Sequence, residues 1–484
     1  MTIEEIIKKV KKNDPKADIT LLKLAYDFAN TAHKGQNRRS GEPYIQHSLN
    51  TAFTLASIKA DTNTVIAGLL HDVPEDTKYT LEDIKKNFGK EIAYLVKGIT
   101  KLSKVKYRGL ERYIGSLRKM FLSMARDLRV ILIKFADRLH NLRTLDAIPP
   151  EKQKRIAKET LEIYVPIAGL LGIWRLKWQM EDICFKYIYP KEFKKLEYKY
   201  EVEKKVERTQ FIKKIKDNLG EKLKKEKIEH RIEGRFKHLY SIWKKMERKD
   251  RKFDEIFDVF ALRVMVPTVS DCYKTLGIIH TIWKPKANRI KDYIANPKPN
   301  GYRSLHTTVF GPNGNAVEFQ IRTEKMNDEA LYGIAAHWYY KENNKQKEQP
   351  KWIKEILEAQ RESENMNEFV SNVKFDVFRD RIFAFSPRGD VIELPEGATP
   401  VDFAYAIHTD IGNKITNVLV NNKIAPLDCV LRNGDSVEII TDKNRKGPNR
   451  DWLKFVKTRK AKNKIKQYTH KKLFSNIKNW MKRK

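Results

Sequence analysis

The sequence predicts a multidomain α and α+β protein: an all-helical first unit, a mixed α/β second unit and a small β-grasp third unit. Three observations predict this. The chain has 484 residues, too many for one hydrophobic core. Its apolar period shifts from helical to strand-like near the middle. Past residue 380, short alternating runs are separated by hairpin-type turn residues.

Taken in order, residues 1–190 carry apolar side chains at helical spacing, as in Ile19, Leu22, Leu24, Ala25, Phe28 and Ala29, with almost no strand alternation. Residues 191–229 are rich in Lys and Glu and keep the helical phase of Tyr200, Val206, Phe211, Ile215 and Leu223, which predicts a charged helical connector. The second unit, 230–342, has strand-like runs at Phe257–Val266, His306–Gly311 and Ala316–Thr323, with helices expected at 236–248 and 270–283. A polar helical linker is expected at 343–379. In the third unit, 380–442, RIFAFSPRGDVIELP reads as a hairpin turning at Pro387–Asp390. Further strands lie around Asn421-Asn422 and Asn433-Gly434, and a helix at 400–409 completes the pattern. The tail, 443–484, holds 17 Lys or Arg and one acid, Asp451, with Trp452, Phe455, Tyr468, Phe474 and Trp480 interspersed.

The formal net charge of +35 favours polyanionic ligands such as nucleotides or RNA, although a lysine-rich composition also accounts for it without any binding role. The three cysteines, Cys184, Cys272 and Cys429, are too dispersed for a disulfide framework or a cysteine zinc site, which fits a reducing cytoplasm. No apolar run approaches the ~18 residues of a membrane span, and the N-terminus lacks the basic-then-apolar pattern of an export signal. A soluble, cytoplasmic protein without membrane contact is expected.

Two constellations carry chemistry. In the helical unit His47, the adjacent pair His71-Asp72, and Asp137 offer two imidazoles and two carboxylates on separate helices, a set suited to an octahedral divalent cation such as Mn²⁺. Glu75 and Asp76 follow within one turn, and such crowding of acids is costly unless a cation neutralises it. In the α/β unit Arg235, Lys237, Ser241 and Lys245 lie at a strand-to-helix transition, where the last three share a helix face suited to phosphates. A Pro- and Gly-punctuated loop brings Lys291, Lys298, Arg303 and His306, with Tyr302 as a stacking platform for a purine. Asp258 and Glu318 are acids on strands that otherwise read as core. With no G-x-x-x-x-G-K-[ST] sequence present, an ordinary P-loop kinase is disfavoured.

The segments GQNRRSGEPYIQH, HDVPEDT and KFADRLHNLRT resemble the HD-type hydrolase domain of the RelA/SpoT family, and GRFKHLYSIWKKM through EALYGIAAHWYYK resembles its nucleotidyltransferase-like synthetase domain. FSPRGDVIELPEGATPVDFAYAIHTDIG and LRNGDSVEIIT resemble a TGS domain. The resemblance implies a bifunctional enzyme of the stringent response. Its synthetase transfers pyrophosphate from ATP to the 3′-hydroxyl of GDP or GTP, and its hydrolase removes that pyrophosphate from the product, (p)ppGpp.

It implies Mn²⁺ held by His47, His71, Asp72 and Asp137, with Glu75 and Asp76 moving protons and positioning water. Arg38, Arg39, Asn141 and Arg143 would contact the nucleotide. At the second site it implies Mg²⁺ held by Asp258 and Glu318, with Glu318 also able to accept the 3′-hydroxyl proton. Arg235, Lys237, Ser241 and Lys245 would bind the donor, Lys291 and Lys298 would neutralise phosphate, and Tyr302 would stack on guanine. His408 matches the TGS histidine implicated at the tRNA acceptor end, which implies tRNA and ribosome as partners; the basic tail also suits RNA. Pro74 departs from the small aliphatic residue common there and is expected to shift Glu75 slightly. The helical, zinc-binding and ACT-like modules of the long family pattern do not follow before Lys484. Two other readings stay open: a hydrolase with a weak synthetase, and an inert tRNA- or ribosome-binding regulator.

Overall fold

A computed structural model describes residues 1–103, 127–204, 207–236, 238–249, 260–287, 289–298, 301–314, 316–333, 381–445 and 447–469. The chain divides into two compact units, Met1–Glu348 and Gln349–Lys484.

The first unit begins with helices α1 (Ile3–Asn13), α2 (Ile19–Ala32), α3 (Ile45–Ser57), α4 (Thr62–Leu70), α5 (Val73–Asp76) and α6 (Leu81–Ser103). Side-chain caps start several of them: Thr2 closes a capping box with Glu5 on α1, while Asp18 and Asp61 accept backbone N–H groups of α2 and α4. Gly89 breaks α6 with φ +86°, a conformation that disfavours any Cβ. Helices α7 (Leu128–Arg143), α8 (Pro150–Glu159), α9 (Val165–Leu170) and α10 (Trp174–Ile188) complete the helical region. Helices α3, α4, α6 and α7 pack together around Leu49, Leu55, Ile66, Leu69, Leu95, Ile131 and Phe135, all buried. Pro74 sits in the first turn of α5, where the N–H that proline lacks has no helical partner to lose.

Helices α11 (Pro190–Lys204) and α12 (Glu207–Lys225) lead into a sheet whose strands are β1 (Arg231–Phe236), β2 (Phe260–Val266), β3 (Lys291–Asp292), β4 (Leu305–Phe310) and β5 (Ala316–Thr323), in the order β1-β2-β5-β4-β3. β2 and β5 run parallel and the other pairs antiparallel. Helices α13 (Leu239–Lys249), α14 (Val269–Ile282) and α15 (Glu324–Tyr332) accompany it. The expected helices and strands of this region form where they are described, most with ends shifted by a residue or a few, while residues 257–259 of the expected strand lie outside the described residues. Strand alternation sorts the side chains: Leu262, Val264, Leu305, Val309, Phe319 and Ile321 join a core with Leu219 and Ile279 from α12 and α14.

The helical region and the sheet belong to one packed body. Asp182 on α10 accepts the N–H of Tyr240 at 3.0 Å at the start of α13, and Trp178 stacks on His238 with centroids 4.1 Å apart. Lys59, between α3 and α4, pairs with Asp328 on α15 at 2.7 Å.

The second unit contains β6 (Arg381–Phe385), β7 (Val391–Pro395), α16 (Pro400–Ile407), α17 (Thr409–Lys414), β8 (Ile415–Val420), β9 (Lys423–Ala425) and β10 (Val437–Thr441). β6 pairs with β7, and β8 lies between β10 and β9. Asn421 and Asn422 turn the β8–β9 hairpin with φ +52° and +62°, as a type I′ turn requires. Packed structure continues past residue 442: Trp452, Val456, Ala461 and Ile465 form a second core with Val401, Ala404 and Tyr405. The rest of the basic tail, the 343–379 linker, Lys237 and Asp258 lie outside the described residues.

Candidate active sites

The first site forms where α3, the α4–α5 junction and α7 converge. His47, His71 and Asp137 are buried, and a ligand atom from each lies within 4.8 Å of the others. Asp72 joins them, with its oxygens 3.4 Å from His47 Nε2 and 3.2 Å from His71 Nε2. His47 Nε2 is also 3.4 Å from Asp137 Oδ1.

The hydrogen bonds fix which ring nitrogens face inward. His71 donates Nδ1–H to the Gly68 carbonyl at 2.8 Å, and among the described residues its buried Nε2 has no hydrogen-bond partner. Arg38 is always a donor, so its 2.9 Å contact with His140 Nδ1 makes that nitrogen an acceptor. The 2.8 Å contact between His47 Nδ1 and His140 Nδ1 then requires the hydrogen on His47. With Nδ1 committed to a second hydrogen bond behind each ring, Nε2 is the nitrogen that faces inward and can offer its lone pair to a cation once it holds no proton. An orphaned buried imidazole nitrogen beside two carboxylates fits a divalent cation well.

The charges agree. Burial opposes protonation of His47, but its bonds to Asp137 and Asp72 outweigh burial and raise its pKa. Burial lowers that of His71. Burial opposes ionisation of Asp137 too, yet Lys134, bonded at 2.8 Å, and His47 hold it well below the usual carboxylate range. His140 is pushed down to about 3, by burial first and by His47, Arg38 and Arg143 after it, so it stays a neutral acceptor. Glu75 is raised, chiefly by burial and then by Asp72. The Tyr44 hydroxyl lies 2.9 Å from Asp72 and 2.6 Å from Asp76, its one hydrogen shared between the two, and so ties the acid beside the cluster to one of its members.

A tight turn with Gly41 at φ +85° presents Arg38 and Arg39. Arg38 also reaches Asn141 at 2.5 Å, while Arg39 is exposed and Arg143 bonds Gln179 on α10 at 2.6 Å. Sequence reasoning does not single out Tyr44, Lys134 or His140. All three lie inside the quoted motifs, and His140 follows Asp137 by about one helical turn, the signal that was available.

The second site is a cavity of about 580 Å³ over the face of the sheet opposite its core. One row of paired positions crosses all five strands: Glu233, Arg263, Gln320, His306 and Lys291. Glu318 lies two residues before Gln320 on β5, paired with Thr308. Gln320 donates to Glu318 at 2.9 Å, and Arg322, almost fully buried, donates to Gln320 at 2.8 Å. His306 lies 3.6 Å from Glu318, and Tyr302 contacts its Nε2 at 2.8 Å.

Lys245, Lys291, Lys298, Tyr302, His306 and Glu318 thus share the cavity lining. Arg303 turns to Glu329 at 2.7 Å, and neither it nor Ser241 lines the cavity. The backbone of Arg235 belongs to β1. Arg263, Gln320 and Arg322 escape the sequence reading, although period-two alternation with Glu318 marks the last two. Trp174 and Trp178 escape it too, because they reach the cavity from α10, far away in the chain. His408 is exposed at the start of α17 in the second unit, where its Nδ1 accepts from Asp410 N at 3.2 Å.

Comparison with known proteins finds three family matches: an HD domain at residues 25–174, the region found in RelA / SpoT proteins at 234–345, and a TGS domain at 382–441. The chain is 44% identical over 485 residues to a guanosine-3′,5′-bis(diphosphate) 3′-pyrophosphohydrolase of Aquifex aeolicus, covering 97% of this chain and 67% of that protein. It is 46% identical over 467 residues to a GTP pyrophosphokinase of Myxococcus xanthus, covering 95% and 61%. It is 46% identical over 461 residues to the bifunctional (p)ppGpp synthase/hydrolase SpoT of Escherichia coli, covering 94% and 65%. The chain spans about three fifths to two thirds of the length of these curated relatives. Among the described residues no helix is long and apolar enough to cross a membrane.

Proposed function

Because the chain belongs to the RelA/SpoT family, we propose that it both makes and hydrolyses (p)ppGpp, using the cluster on α3–α7 for hydrolysis and the sheet cavity for synthesis. The observation that carries the proposal is the cluster of His47, His71, Asp72 and Asp137, with both imidazole Nε2 atoms turned inward and an acid next to it.

At the hydrolase site the cation is Mn²⁺, which when bound stabilises phosphate charge and acidifies water. Arg38 and Arg39 hold the nucleotide together with Asn141 and Arg143. Asp76, fixed by Tyr44, orients water toward the 3′-pyrophosphate, and Glu75 delivers a proton to the leaving oxygen. At the synthetase site ATP is bound with Mg²⁺, for which Asp258 and Glu318 are the proposed ligands. Arg235, Lys237, Ser241 and Lys245 hold the donor phosphates, with Lys291 and Lys298 neutralising charge. Tyr302 stacks on the guanine of GDP or GTP; Arg303 and His306 support that loop. Glu318 takes the 3′-hydroxyl proton as the β,γ-pyrophosphoryl group moves from ATP to that oxygen and AMP leaves. His408 is the proposed tRNA contact, and the protein acts in the cytoplasm.

Paired turnover tests this reading: ATP plus GDP with Mg²⁺ in one reaction, ppGpp with Mn²⁺ in another, each beside Glu318→Gln and Asp72→Ala. Both activities are expected, each abolished by its own substitution. Hydrolysis alone would restrict the proposal to the first site, and salt-sensitive RNA binding without turnover would favour a regulator.

A further inference from the structure

Arg38 ends in a fork on the last turns of α7. One branch runs from its guanidinium to His140 Nδ1 at 2.9 Å and from there to His47 Nδ1 at 2.8 Å. The other runs to Asn141 Oδ1 at 2.5 Å, and Asn141 Nδ2 in turn donates to Asp137 Oδ1. Both branches end on a member of the cation cluster. His140 is 5% exposed, and its Nδ1 lies within hydrogen-bond distance of Arg38 on one side and His47 on the other, which share its single lone pair.

We propose that His140 is a positioning residue that couples Arg38 to the cation site, by presenting one acceptor nitrogen that docks the guanidinium and holds His47 in the tautomer whose Nε2 faces the cation. The inference rests on the hydrolase reading of this site. If His140 Nδ1 were not an acceptor, His47 would be free to place its hydrogen on Nε2, where it blocks the position a cation needs. Arg38 enforces the acceptor state because a guanidinium can only donate. Whatever displaces Arg38 from His140 therefore alters the hold on His47, so occupancy of the Arg38 site and of the cation site influence each other reciprocally. The Asn141–Asp137 branch runs in parallel and ties the guanidinium to the same end of α7.

Substitutions separate this role from simple packing. His140→Leu fills the volume without an acceptor, whereas His140→Asn keeps an acceptor near the Nδ1 position. Mn²⁺ binding to the full chain, measured by titration calorimetry without nucleotide, is expected to weaken by roughly 10–100-fold in His140→Leu and to be largely restored in His140→Asn, the range seen when the partner of a ligating histidine is lost. Arg38→Gln is expected to weaken it by roughly fivefold in the native background and to add nothing in His140→Leu, because both changes cut one coupled unit.

Equal Mn²⁺ affinity in the leucine and asparagine variants overturns the proposal, as does strict additivity with Arg38→Gln. Should His140→Leu fail to fold by circular dichroism, unchanged Mn²⁺ affinity in Arg38→Gln overturns it equally. The readout is separate from turnover: Mn²⁺ affinity that depends on His140 in a native chain that leaves ppGpp intact sinks the hydrolase reading alone. Native chain that hydrolyses ppGpp with Mn²⁺ affinity insensitive to His140→Leu sinks this inference alone.

Discussion

His47 carries the sharpest consequence of the site's electrostatics. Without a cation, Asp137 and Asp72 stabilise its protonated form and raise its pKa above the ordinary 6.5 despite burial. A cation must displace that proton from Nε2. The sign follows directly: below the raised pKa the proton competes, and above it the lone pair is available. Mn²⁺ affinity should therefore climb as pH rises through the range in which His47 loses that proton, at and above the ordinary imidazole range, with roughly one proton released per ion at the lower pH. Calorimetry in buffers of different ionisation enthalpy reads that proton, and a pH-independent affinity would show that His47 is not a ligand. Tyr44 is the other residue whose part is geometric. Tyr44→Phe removes the hydroxyl that joins Asp72 to Asp76 while keeping the ring stacked on His33. We expect ppGpp hydrolysis to fall by roughly 10–100-fold in kcat with little change in melting temperature. A variant as fast as the native chain would remove Tyr44 from the account.

Among the elements, α16 depends most visibly on one side chain. Asp402 is fully buried and closes a capping box with Thr399 at the start of α16. It also accepts Thr458 N at 2.7 Å and Lys457 N at 3.0 Å, where the helical stretch 459–469 begins. One carboxylate thus starts two helices and joins the core of Trp452, Val456 and Ile465 to the β-grasp unit. Asp402→Ala strands the buried N–H of Thr399 and the partly buried N–H groups of Lys457 and Thr458, so the second unit should lose about 2–4 kcal/mol. Trp452 is buried in that core, and its fluorescence during urea unfolding should report an earlier midpoint; an unchanged midpoint would show that 450–469 is held without Asp402. The β-strands of the sheet obey a simpler rule. Alternation sends Val317, Phe319 and Ile321 to the core and Glu318, Gln320 and Arg322 to the cavity, so one register sets both packing and chemistry.

At the scale of the molecule, the helical region and the sheet meet through close backbone contact. Gly333, at φ +54° after α15, lies against the Leu171-Gly172 turn: a Cβ there would sit 2.1 Å from the Leu171 carbonyl oxygen. Backbone cannot swing aside as a side chain can. Gly333→Ala should therefore cost more than the ~1 kcal/mol of an unfavourable φ alone and lower the thermal midpoint of the first unit; an unaltered midpoint would mean that the two surfaces part freely. The same interface carries α10, which caps α13 through Asp182 and lends Trp174 and Trp178 to the sheet cavity.

How far these features can be read in advance depends on range. The helical first region, the strand at Ala316–Thr323 and the β-grasp hairpins are written in local periodicity and turn residues, which act over a few positions and need no partner. His47, His71, Asp72, Asp137 and Glu318 stand out because clustered or strand-borne ionisable groups are costly without a compensating role, and the family resemblance is carried by contiguous motifs. His140, Tyr44 and the two tryptophans are equally present in the sequence, but nothing local distinguishes them. His140 matters because its Nδ1 meets a ring 93 residues away, and Trp178 because α10 packs on the sheet. Local pattern dictates which elements form and which chemical groups are on offer. Folding in three dimensions settles which nitrogen faces the cation, which face of the sheet becomes a cavity and which helix closes it, since hydrogen-bond direction and packing arise between segments that sequence spacing does not relate.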